Sequence, residues 1–146
     1  MRSVTIGVFG TILGFALMAM AHEELPPGPV HDRHELMEDV GKNAKIIGDA
    51  MKAGETEKIP GPATLIAEAA KKVPGLFPEG SQHPKSRAKP EVWSEPTVFK
   101  AESIKLEQTA TALAKAAETK GDVPQAAKEM FDSCKSCHNK FRLPEE

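Results

Sequence analysis

Apolar residues recur at the period of an α-helix in four separate stretches of this chain. In the first, Leu36, Val40, Ala44, Ile47 and Met51 follow one another at spacings of 4, 4, 3 and 4, one face of a helix. Asp32, with Glu35 three residues on, is a capping-box arrangement that predicts where this helix starts. A second, shorter helix is predicted with Pro62 in its first turn and Leu65, Ile66, Ala69 and Val73 inward. A third begins near Pro96 and carries Phe99, Leu106, Ala110, Leu113 and Ala117 on one stripe. The fourth follows Asp122 and Pro124, with Met130, Cys134, Cys137 and Phe141 at spacings of 4, 3 and 4. No stretch alternates as a half-buried strand would.

Proline draws the same boundaries. All 12 prolines lie after residue 21, leaving proline-free windows at 31–59, 63–73, 97–123 and 125–143. Proline lacks an N–H and clashes with the preceding turn, so helix interiors exclude it. Gly54, Gly75 and Gly121 sit near proposed helix ends, where a left-handed cap is needed. Residues 74–95 read as a proline-rich loop with a short turn near Val92 and Trp93, pegged to the core by Leu76, Phe77 and Trp93. Four amphipathic helices predict an all-α fold, an antiparallel four-helix bundle.

The N-terminus has a different character. Arg2 precedes an uncharged, mostly apolar run from Val4 to Met20, and Ala19-Met20-Ala21 is an A-x-A cleavage site. This predicts a secretory signal over 1–21 and a single exported domain over 22–146, with 22–30 as a flexible N-terminus. The alternative, an uncleaved anchor, would need a span at the short limit of 17 residues broken by three glycines. No second run of that length follows, so no stable membrane insertion is expected after cleavage.

Charge and size narrow the function. Without Arg2 the basic residues fall from 19 to 18 against 21 acidic ones, about −3. Such a chain is a poor nucleic-acid binder. About 125 residues leave no room for a nucleotide-binding domain beside a substrate domain. Only 26 large apolar side chains remain after residue 21. So lean a chain either packs helices closely through alanine or borrows apolar volume from a cofactor.

The chemistry lies in Cys134-Lys135-Ser136-Cys137-His138. This is C-x-x-C-H, the attachment signal for c-type haem. Positions i, i+3 and i+4 of a helix share a face. Both thiols can therefore form thioethers to one porphyrin, while His138 reaches the iron as proximal ligand. Three rivals exist. A thioredoxin-type dithiol would want a βαβ setting and a helix N-terminus. A zinc site would need a fourth ligand, for which His34 is available. A disulfide across three residues of a helix is strained.

The sixth ligand is sought on the first helix, antiparallel to the fourth. His138 lies 4 residues before Arg142, the expected end of the fourth helix, so its level on the first helix falls near Leu36 and Met37. Met51 would lie about 20 Å further along, and Met130 shares a helix with His138. Met37 is the candidate distal ligand; geometry alone leaves open that it only fills the core. His34 is expected on the surface, His31 outside the helix, and His83 solvated in the loop. No acid–base constellation adjoins the motif, so no catalytic residues and no enzyme activity are expected.

The chain resembles the class II c-type cytochromes, the family of cytochrome c′ and its low-spin relatives of the cytochrome c-556 type. The resemblance rests on C-x-x-C-H near the C-terminus continuing into Asn139-Lys140-Phe141-Arg142. Looser matches are Arg33-His34-Glu35-Leu36-Met37 and Lys89-Pro90-Glu91-Val92-Trp93 leading to Phe99. It implies a bundle with one covalently attached haem c on Cys134, Cys137 and His138. It also implies that Met37 faces the distal side of the haem. In low-spin members a methionine there binds iron; in cytochrome c′ the residue blocks the site and leaves five-coordinate iron that takes up small gases. Arg33 matches a position near the haem propionates. The second helix is shorter and the loop longer than in many cytochrome c′ sequences, so a monomer or weak homodimer is expected rather than the usual dimer.

The expectation is a periplasmic electron-transfer protein with His138/Met37 six-coordinate iron. Lys135, Lys140 and Arg142 would steer an acidic redox partner protein. The alternative is a five-coordinate protein binding NO or CO in a pocket of Leu36, Met37 and Val40.

Overall fold

The computed structural model describes Leu25 and residues 27–144. The proposed signal over 1–21 lies outside the described residues. Among the described residues five helices follow in order: α1 (Pro29–Ala53), α2 (Pro60–Lys72), α3 (Glu91–Ser94), α4 (Pro96–Thr119) and α5 (Val123–Phe141). Short 3₁₀ turns at Thr56–Lys58 and Val73–Leu76 flank α2. Among the described residues there is no β-strand, only one isolated bridge between Ala88 and Arg142. No helix of the described residues is long and apolar enough to cross a membrane.

The four long helices form an up-down-up-down bundle in which α1 packs on α2, α2 on α4, and α4 on α5. The circuit is not closed: α1 and α5 do not pack closely on each other.

Local chemistry shifts several boundaries. The first helix starts at Pro29, three residues before the expected Asp32 cap, and no side chain caps it. Proline's fixed φ suits the first helical position. Gly28, at φ 142°, makes the entry that a side chain would strain. The capping box therefore does not form, His31 is inside the helix, and Pro29 and Val30 belong to α1 rather than to a flexible N-terminus. Gly54 ends α1 in the left-handed conformation at φ 74°, as expected. At the end of α4 that conformation falls to Lys120 at φ 56°, not to Gly121. Gly75 lies inside a 3₁₀ turn instead of capping one. Asp122 caps α5, accepting the Gln125 N–H at 3.0 Å.

The inward stripe of α4 is the expected one, with Phe99, Leu106, Ala110, Leu113 and Ala117 all buried. On α2, Ile66 and Ala69 are buried but Leu65 is 57% exposed. The stripe of α2 runs through Ala63, Ile66 and Ala70, and Leu65 is about 100° around the helix from Ile66.

Two clusters make the core. One joins Ile47, Ile59, Ile66, Leu113 and Met130, each at 0% exposure, with small alanines between them. The other joins Val73, Val92, Phe99 and Phe141, with Leu36, Met37, Phe77, Trp93 and Cys137 packed against it. It lies where α1 begins and α5 ends.

Candidate functional site

Between α1 and α5, over the second cluster, lies a groove of about 620 Å³. That is within the range of roughly 300–1,000 Å³ for small-molecule and cofactor sites. Met37, Val40 and Ala44 line it from α1; Cys134, Cys137, His138 and Phe141 line it from α5; Phe99 and Leu106 form part of its floor from α4. The C-x-x-C-H spacing puts both cysteines and His138 on one helix face, and α5 turns that face toward α1. Because α1 begins at Pro29 rather than Asp32, the level counted from its start moves to Arg33, one turn before Met37; Met37 nonetheless lines the groove with them, whereas Met51 and Met130 belong to the other cluster.

The residues fit a flat apolar group. Gly41 lies on the wall, with no atom within 4 Å of where a side chain would begin. Trp93, Phe77, Phe99 and Phe141 run in a chain, with centroid separations of 6.2, 4.9 and 5.1 Å and tilted or edge-to-face rings. They give this end a rigid aromatic floor. Cys134 and Cys137 are half-buried and not joined as a disulfide. Burial pushes the Cys134 thiol up. Burial, and after it the charge of Glu102, pushes Cys137 up to about 11. His138 is exposed at the mouth of the groove. Enough of its ring is screened from water to lower its pKa, and Arg87 adds to the shift. Both effects favour the neutral imidazole, the form that binds a metal.

Among the described residues no three His, Cys, Asp or Glu side chains come together to hold a metal ion. His34 is exposed and faces Glu38 at 3.5 Å; it touches the groove's rim without completing a zinc site with the cysteines. His31 lies 3.5 Å from both Asp32 and Glu35. His83, half-buried in the loop, accepts the Lys85 N–H at 3.2 Å.

Arg33 is buried at 5% exposure. Its guanidinium donates to the Leu76 carbonyl at 3.4 Å, Ser81 Oγ at 3.1 Å, Ser81 O at 2.9 Å and Ser86 Oγ at 2.9 Å. It also stacks 4.6 Å from the centre of the Phe77 ring. Burial lowers its pKa, although a guanidinium stays charged in proteins. These four acceptors are neutral, so a positive charge stands at the groove's edge.

The proline-rich loop closes the end of α5. Lys89 N donates to Phe141 O at 2.9 Å, and Leu143 N donates to Arg87 O at 2.7 Å. Lys89 Nζ donates to Asn139 O at 2.9 Å. This strap carries Arg87 to a smaller cavity of about 440 Å³ beside His138.

Sequence reasoning missed Glu102. It is 7% exposed, lines the groove and pairs with Lys140 across α4 and α5. Burial alone would raise its pKa; the bond from Lys140, the nearby Ser136 hydroxyl and the charges of Lys140 and Lys105 turn the net direction downward. The signal was present in the sequence, since Glu102 falls three residues after Phe99 and four before Leu106, on the buried stripe itself. Lys140, expected to steer a partner, is instead engaged with Glu102.

A four-helix bundle with C-x-x-C-H opening onto an apolar groove defines a c-type cytochrome of the helical-bundle class. The cytochrome c′ family model matches residues 28–142, and the chain belongs to that family. It is 40% identical over 112 residues to cytochrome c′ of Pararhodospirillum photometricum, covering 67% of this chain and 88% of that one. It is 32% identical over 126 residues to cytochrome c-556 of Agrobacterium tumefaciens strain apple 185, covering 82% and 98%. The solved structure of cytochrome c′ from Rhodopseudomonas palustris superposes with a TM-score of 0.71 at 26% identity, covering 83% of this chain and all of that one. The family carries haem c, covalently attached. It comprises carriers of electrons and binders of small gases.

Proposed function

We propose that this chain is an exported one-electron carrier, with no enzymatic activity of its own. In this reading Cys134 and Cys137 would hold haem c through two thioethers, and His138 and Met37 would be the ligands of its iron. When bound, the haem supplies an iron that alternates between ferric and ferrous. His138, held neutral, presents an imidazole nitrogen. The soft thioether of Met37 favours the ferrous form. Phe99 and Phe141 exclude water from the floor, and the unneutralised charge of Arg33 suits the haem propionates. Lys135, exposed beside the motif, is left to steer an acidic partner. The signal over 1–21 would be cleaved, leaving 22–146 in the periplasm as a monomer or weak homodimer.

The observation that carries this reading is Met37 on the α1 wall of the groove that Cys134, Cys137 and His138 line from α5. A second reading stands beside it, since the relatives bear both names, cytochrome c′ and cytochrome c-556. In that reading Met37 fills the distal side without binding, and five-coordinate iron takes up NO or CO.

Optical spectra of the oxidised, reduced and carbon monoxide-treated protein separate the two. The carrier gives sharp split visible bands on reduction, a weak sulfur-to-iron charge-transfer band when oxidised, and little response to carbon monoxide. Met37→Ala then converts low-spin iron to high-spin and opens the site. A high-spin starting spectrum with ready carbon monoxide binding overturns the carrier reading. A protein without haem after maturation in a competent host overturns both.

A further inference from the structure

We propose that the buried carboxylate of Glu102, carried by α4 against the Cys137 end of the groove, lowers the reduction potential of the haem. The proposal rests on haem occupying the groove, as in the reading above, but not on whether Met37 binds the iron.

Glu102 is a charge where the fold has little reason to keep one. It sits on the buried stripe of α4, one turn from both Phe99 and Leu106, and its side chain is only 9% exposed. One carboxylate oxygen accepts from Lys140. The other, Oε2, is buried and has no partner at hydrogen-bond geometry among the described residues, although the Ser136 hydroxyl is near enough to favour the charge. An unsatisfied buried oxygen is costly, and a glutamine or an apolar side chain would avoid holding a bare charge there. Its carboxylate lines the same groove as Cys137 and His138, so its field acts on whatever those residues hold there.

The ion pair does not cancel that field. Lys140 is half-exposed and does not line the groove, so water screens its ammonium. Glu102 lines the groove and is screened much less. The pair therefore presents its negative end inward. Arg33 and Arg87 act in the opposite sense from other sides of the site, and the test holds both constant. The couple takes one electron from a one-electron donor protein and turns ferric iron ferrous. A fixed negative charge favours the more positive ferric form.

By Coulomb's law, a unit charge about 10 Å from another, at an effective dielectric constant of about 20, shifts an equilibrium by roughly tenfold. The test is a spectroelectrochemical titration of the mature haem-loaded protein and Glu102→Gln, which keeps the shape and removes the charge. The expected result is about a tenfold higher ferrous-to-ferric ratio at fixed potential, or 59 mV for one electron. That difference should persist at 1 M salt, and Glu102→Asp should stay within about twofold of the parent. A Glu102→Gln shift below about twofold, or a fall in potential, overturns the proposal. So does a difference that vanishes in high salt, which would mark a surface effect.

If Glu102→Gln alone does not load haem, the double variant Glu102→Gln/Lys140→Gln carries the test. It removes both charges, and the potential should still rise because the inner charge dominates. An unchanged potential there means that the pair's fields cancel, and overturns the proposal. The spectra keep the two questions apart. Band shapes report whether Met37 binds the iron, whereas the potential difference reports Glu102 in either coordination state.

Discussion

At one end of the bundle Ile47, Ile59, Ile66, Leu113 and Met130 are fully buried, and alanines let all four long helices close on them. At the other, Phe77, Phe99 and Phe141, backed by Trp93, line a groove that α1 and α5 leave open. The first end is completed by the chain itself. The second is half a core: its aromatic floor is rigid, but its apolar wall lacks a facing surface until a cofactor supplies one. The buried charges and the thiols follow the same division. Arg33, Glu102 and the two cysteines all sit at the open end, where a buried charge or thiol has something to act on.

The strongest way to break this contrast is to deny the open end its partner. With Cys134→Ala/Cys137→Ala the thioethers cannot form. The haem should then leave with denaturing organic extraction, while the parent retains it. In the haem-free protein, amide exchange should quicken over the starts of α1 and α4, the end of α5 and residues 77–90, and stay slow around Ile66 and Leu113. Uniform loss of protection along the chain would mean that the two ends are one cooperative unit.

The converse change acts on the closed end. Ile66→Ala leaves a cavity at a site of 0% exposure and should cost about 2–5 kcal/mol. Chemical denaturation of the haem-loaded protein measures it. The haem bands should not move, because Ile66 does not line the groove. Altered haem bands would show that strain passes from one end to the other.

Arg33→Lys sharpens the boundary between loop and groove. A lysine keeps the charge but cannot reproduce a fork that reaches Leu76, Ser81 and Ser86 at once. The expected cost is about 1–3 kcal/mol, with faster amide exchange confined to residues 76–90. If exchange there is unchanged, the strap between Arg87 and Leu143 holds the loop without Arg33.

The bundle was legible because burial follows the 3.6-residue period: every residue read onto the stripe of α4 is buried, and that of α5 put both cysteines and His138 on one face. The groove was legible only as a level match, since a spacing argument sets height along a helix but not the gap between helices. Arg33 was suggested by resemblance alone, and nothing local in the sequence reveals that its hydrogen-bond partners lie more than 40 residues away. Glu102 was missed because a single glutamate among apolar neighbours reads as a solvated residue unless its place on the stripe is weighed. The start of α1 was misjudged because two signals competed, and proline with a preceding glycine outweighed the capping box.

The smallest effect concerns acid, and it again separates the ends. The folded pKa of Glu102 is lowered. Its contribution to stability is therefore complete above the ordinary carboxylate range, and is lost as pH falls through the folded value. Lys140 is half-exposed, so the pair is partly wet and its contribution is modest. Asp49, Glu68 and Asp132 are lowered as well, but by lysine pairs in which both partners are exposed; salt should remove most of their share. At 0.5 M salt, the parent should then lose stability between neutral and acid pH more steeply than Glu102→Gln. Urea midpoints across that range measure the difference. Parallel curves would mean that the exposed pairs, spread over both ends, carry the acid response, and that the open end owes none of its acid sensitivity to its buried charge.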